Sequence, residues 1–106
     1  MYCMVEIAFD KRNELNEVIN ILLSRKLACS CQVIEANNTW NWVGYREQSK
    51  EYLLHIKTKK DLLDEVYSVV KSIHSYEVFE FAVYELTSPS KEYLDWIEEE
   101  TCSVIK

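Results

Sequence analysis

The chain has 106 residues, 48% apolar and 28% charged, with twelve Lys plus Arg against eighteen Asp plus Glu for a net charge of −6. That is the size of one domain, here 1–106, and the acidic balance argues against a partner recognised through its phosphates. No apolar run nears the ~20 residues that span a bilayer, and Met1-Tyr2-Cys3-Met4-Val5-Glu6 lacks a basic, apolar leader, so a cytoplasmic protein without nucleic-acid or membrane partners is expected.

Cys3, Val5, Ile7 and Phe9 alternate with Tyr2, Met4, Glu6 and Ala8, which predicts a first strand. Asp10 is placed to cap a helix running to about Lys26, with Leu15, Val18, Ile19, Leu22 and Leu23 as its apolar stripe. A second strand is expected from about Ala28 to Ala36, continuing through Trp40 and Trp42 with a kink or bulge at Asn37-Asn38. Trp40 and Trp42 are two apart, so both rings leave an extended strand on one face. The chain turns near Gly44, its only glycine, into a third strand over roughly Glu51–Lys57.

Thr58-Lys59-Lys60-Asp61 has the spacing of a capping box for a second helix, carrying Leu62, Leu63, Val66, Tyr67, Val69, Val70 and Ile73. A fourth strand is expected over Val78–Leu86, with Phe79, Phe81 and Val83 facing one way. Ser88-Pro89 then suits N-cap and first helical position of a terminal helix with Tyr93, Leu94, Trp96 and Ile97. Glu98-Glu99-Glu100 reads as its solvated face. The order is βαββαβ plus a helix, an α+β, ferredoxin-like sandwich with an extended second hairpin. Its two main helices cover one sheet face and leave the other, with Tyr2, Met4 and Ala8, apolar and open. Copies of the same chain are the natural cover.

Here the chain resembles the CutA family of divalent-cation-tolerance proteins along essentially its whole length. The matching pieces are Lys26-Leu27-Ala28, Trp42-Val43-Gly44, Glu51 through Thr58 (Glu-Tyr-Leu-Leu-His-Ile-Lys-Thr), His74 through Glu80 (His-Ser-Tyr-Glu-Val-Phe-Glu), and Tyr93-Leu94-Asp95-Trp96-Ile97. The resemblance implies a homotrimer similar in architecture to PII signalling proteins, and a role in tolerance of copper and other divalent metals. The chain departs from the family in its cysteines, where Ser30 sits between Cys29 and Cys31, and in lacking both prolines of the His74–Glu80 stretch. Some bacterial members bind copper through a cysteine and a tandem histidine pair; the matching positions hold Glu6 and Ile73-His74.

His74, Tyr76, Glu77 and Glu80 form the richest cluster. A histidine ending a helix has a structural use in the helix dipole, and with carboxylates it also suits a borderline metal such as copper or zinc. His74, Glu6 and Glu77 are the candidate metal ligands. Glu6 interrupts an apolar strand and calls for a partner, Lys57 or a group across an interface. His55, between leucine and isoleucine, reads as a satisfied sheet histidine.

Cys29 and Cys31 share a strand face in poor geometry for a disulfide; as free thiols they fill space or clamp a soft ion. Trp40, Trp42, Lys57, Tyr76 and Glu80 are the expected lining of an inter-subunit cleft. No phosphate loop, nucleophile elbow or zinc-protease motif occurs. The expectation is therefore a binding protein, not an enzyme, requiring no cofactor, with copper, another divalent cation or a small anion as candidate ligand. A PII-like small-molecule sensor and a pure assembly scaffold are the alternatives.

Overall fold

A computed structural model describes residues 1–102; the last four residues of the expected domain lie outside it. The elements are β1 (Tyr2–Phe9), α1 (Arg12–Ser24), β2 (Ser30–Trp42), β3 (Tyr45–Lys59), a 3-10 turn (Lys60–Leu62), α2 (Leu63–Ile73), β4 (Phe81–Leu86) and α3 (Lys91–Glu99). The four strands form one antiparallel sheet in the order β2-β3-β1-β4. This is the ferredoxin-like α+β arrangement, with α1 and α2 on one face.

Pleating divides each strand between two surroundings. Val5, Ile7, Phe9, Leu54 and Ile56 face the helices and join Leu15, Val18, Leu22, Leu62, Val66 and Val70 in a dry core. The other face carries Tyr2, Met4, Glu6 and Ala8, and, through the pairing register, His55, Leu53, Ile34, Tyr84 and Leu86. The terminal helix crosses one end of that face, where Tyr2 Oη donates to Glu98 at 3.1 Å and Lys59 Nζ lies 2.9 Å from the same carboxylate. Ile34 and Tyr84 stay exposed. The open face is thus smaller than expected, because α3 covers one end of it.

Several local expectations are corrected. No bulge interrupts β2: Ser30 through Trp42 pairs residue for residue with Lys57 through Tyr45, since Asn37 and Asn38 find a regular ladder on β3. The third strand begins at Tyr45 instead of Glu51 for the same reason. Trp42 and Tyr45 pair across the two-residue turn Val43-Gly44, where both residues have positive φ, 48° and 83°. Glycine adopts that backbone freely; valine, branched at Cβ, does not.

Helix α1 starts after Lys11, not Asp10, and ends in a left-handed residue, Lys26. There the Leu27 amide bonds the Leu22 carbonyl at 2.8 Å and the Lys26 amide the Leu23 carbonyl at 3.1 Å, satisfying the last-turn carbonyls. Thr58 does not cap α2. It is buried in β3, and its hydroxyl donates to the Leu27 carbonyl at 2.6 Å, tying the strand to the end of α1. The cap of α3 is Ser90, whose Oγ accepts from the Tyr93 amide at 3.2 Å, not Ser88. The fourth strand begins at Phe81 because residues 74–80 are drawn aside into the wall of a cavity.

Candidate functional site

That wall is fixed at three points. His74 closes α2 and turns inward; its Nε2 lies 2.7 Å from the Ala8 carbonyl, an acceptor, so Nε2 carries the proton. Its Nδ1 accepts from the Tyr76 amide at 3.2 Å. The ring stacks between Phe9, at 4.4 Å, and Phe79, at 4.8 Å. One residue on, the Ser75 amide donates to Glu14 of α1 at 2.9 Å. Tyr76 Oη then donates to Glu51 at 3.3 Å.

Between this loop and the β2–β3 hairpin lies a cavity of about 480 Å³, lined by Ala8, Asn38, Trp40, Trp42, Glu47, Glu51, Tyr76, Glu77, Val78 and Glu80. Its volume is that of small-molecule sites generally. Alternation along β2 places Asn38, Trp40 and Trp42 on the cavity side, and the register brings Glu47 opposite Trp40. Glu51 is the buried acid of the group, 5% exposed, and its two oxygens accept from Asn38 Nδ2 and Tyr76 Oη.

The electrostatics follow from crowding acids. Burial raises the Tyr76 phenol to about 12, and the charges of Asp10 and Glu51 add to the effect. Glu80 is pushed up to about 7, first by burial, then by sharing a hydrogen bond with Glu6 and by the charges of Glu6 and Glu51. Its partner moves the other way: Glu6 is held below its ordinary value by Glu80 and then by His55, whose Nε2 lies 2.9 Å from Glu6 Oε1.

Of the five residues expected at an inter-subunit cleft, Trp40, Trp42, Tyr76 and Glu80 line this cavity within a single chain, together with Glu77. Lys57 does not line it. The register sets Lys57 opposite Met4, and its Nζ donates to Gln32 at 2.8 Å, which also leaves His55, not Lys57, as the partner of Glu6. The proposed ligand set of His74, Glu6 and Glu77 does not form. Both nitrogens of His74 are committed to backbone groups, Glu6 is bound to His55, and Glu77 lines the cavity, which neither His74 nor Glu6 does. Among the described residues no three His, Cys, Asp or Glu side chains gather as a metal centre.

Cys29 and Cys31 are free and lie at the other end of β2. Cys31 points to the helices, and burial, followed by the nearby Cys29, drives its thiol up to about 12; burial raises Cys29 as well. Metal-binding sulfur is thiolate, so this pair favours packing over ligation. Asn38, Glu47 and Glu51 were missed by the sequence reading. Their signal was the register itself: once the hairpin pairs without a bulge, positions 47 and 51 fall on the tryptophan side.

A family model described as CutA1 divalent ion tolerance protein matches residues 3–100. The chain is 31% identical over 88 residues to Protein CutA of Bos taurus, covering 83% of this chain and 50% of that protein. It is 28% identical over 99 residues to the divalent-cation tolerance protein CutA of Archaeoglobus fulgidus, covering 93% and 97%. The chain thus spans about half the length of the bovine relative and nearly all of the archaeal one. Among solved structures, the periplasmic divalent cation tolerance protein CutA from Archaeoglobus fulgidus superposes with a TM-score of 0.89 at 28% identity, over 94% of this chain and 98% of that one.

Proposed function

This chain belongs to the CutA1 divalent ion tolerance family, and on that footing we propose that it serves as a homotrimer in the response to divalent metal ions, by binding and not by catalysis. The observation that carries the assembly is the hairpin tip. Trp42, Val43 and Tyr45 are 53%, 81% and 74% exposed there, and Ile34 and Tyr84 are bare on the sheet face. Apolar surface of that extent at the end of a projecting ribbon is covered by a partner in stable proteins. Three subunits, each laying its hairpin on the next, cover tip and face together.

The side chains of one subunit do not fit a resident copper centre, since His74 is spent on the fold and the thiols are held as thiols. A divalent ion would take its donors from more than one subunit, with Glu77 and Glu80 as this chain's carboxylates. The four free thiols fit a reducing compartment, and we place the protein in the cytoplasm. Calorimetric titration of the assembled protein with copper and with zinc tests the metal role. Fewer than one ion per chain, lost on dissociation, is the expected result; one ion per chain held by an isolated subunit contradicts it.

The cavity favours a second reading, a PII-like sensor of a small organic molecule. Two indoles, a phenol and a volume of about 480 Å³ are more surface than a metal ion uses.

A further inference from the structure

The cavity has a marked chemical bias. Among the described residues its charged lining is Glu47, Glu51, Glu77 and Glu80, with no lysine, arginine or histidine. Three of these acids lie toward solvent, but Glu51 is 5% exposed. Its oxygens accept from an amide and a phenol, both neutral, and none of the ion pairs among the described residues includes it. A buried acid whose partners are all neutral leaves its charge to be met from beyond those partners. The remedy is a cation delivered from outside this set of side chains.

The walls say which kind. Indole faces attract ammonium and guanidinium groups and also cover hydrocarbon. A hydrated divalent ion uses neither property, and among the described residues no three His, Cys, Asp or Glu side chains gather to hold one. We propose, resting on the sensor reading, that the cavity binds a small organic cation. Its amine or guanidine meets Glu51, and its carbon skeleton lies against Trp40 and Trp42. The exposed acids Glu47 and Glu77 repel molecules that also carry a carboxylate, so amines are selected over amino acids.

Phenethylamine and phenylacetate share one skeleton with opposite charge and make the test direct. Each is titrated into the assembled protein at pH 7.5, read by calorimetry and by tryptophan fluorescence. Phenethylamine should bind saturably and at least tenfold more tightly than phenylacetate, and Glu51→Gln should lower amine affinity at least tenfold. If Glu51→Gln does not fold, judged by its urea transition, Trp40→Leu takes its place with the same expected loss. Equal or tighter binding of phenylacetate overturns the cation assignment and leaves the sensor reading standing. Amine binding unchanged in Glu51→Gln and Trp40→Leu overturns the site. Silence of both probes removes the cation proposal and the sensor reading together.

Discussion

His74 Nε2 donates to the backbone carbonyl of Ala8 across 2.7 Å, joining the end of α2 to the end of β1 beneath the cavity. The bond makes the histidine part of the scaffold. His74→Ala loses the stacking on Phe9 and Phe79 and leaves the Ala8 carbonyl unpaired, so it should destabilise the fold by about 2–4 kcal/mol. Urea unfolding measures this. Metal affinity per folded molecule should be unaltered, and a selective loss of copper binding with stability intact would reverse the assignment.

The Glu6–Glu80 pair gives the protein a pH dependence of known sign. Glu80 is raised from 4.5 to about 7 in the folded chain. Its contribution to stability is fully present below 4.5 and is lost as the pH climbs to about 7. Glu6, held low, contributes in the opposite sense, present above its ordinary value and lost as the pH falls. Glu80→Gln cannot ionise and should gain on the wild type between pH 5 and 8, by about 1 kcal/mol after screening by solvent. Unfolding curves for both proteins at those two pH values suffice; a constant difference sinks the coupling.

Val43 occupies a left-handed backbone position, φ 48°, at an exposed turn. Val43→Asn relieves that conformation and should stabilise an isolated hairpin turn by about 1 kcal/mol. If the tip is an assembly contact, the same change should weaken association while raising subunit stability. Thermal unfolding and sedimentation read the two effects separately.

Cys3 is buried and Cys31 half-buried against the core, and burial raises both thiols, Cys31 to about 12. Iodoacetamide at pH 8 should leave both unmodified in the native protein, while denaturant without reductant should expose four labelling sites, as expected of four free cysteines. Mass spectrometry counts the adducts. Rapid native labelling of Cys31 would place it at the surface.

The sequence showed most of the architecture because its periodicities are local. Alternation in Tyr2–Phe9 and the 3.6-residue stripes of α1 and α2 depend on which residues face the core, and one chain displays that. Cap assignments failed where a polar side chain had a better long-range partner: Thr58 serves Leu27, thirty-one residues away, instead of its own helix. Trp40, Trp42, Tyr76 and Glu80 could be grouped from the sequence because aromatic and acidic residues stand out along strand and loop, but that one chain encloses their cavity could not. Glu51 was not. Its burial and its bonds to Asn38 and Tyr76 arise only when hairpin register and the 74–80 loop are set together.

The assembly is the claim on which the metal reading depends, and sedimentation equilibrium at micromolar concentration tests it. The account predicts a single species of three times the 12.6 kDa chain mass, with thermal stability that rises with protein concentration. A stable 12.6 kDa species whose unfolding ignores concentration contradicts it.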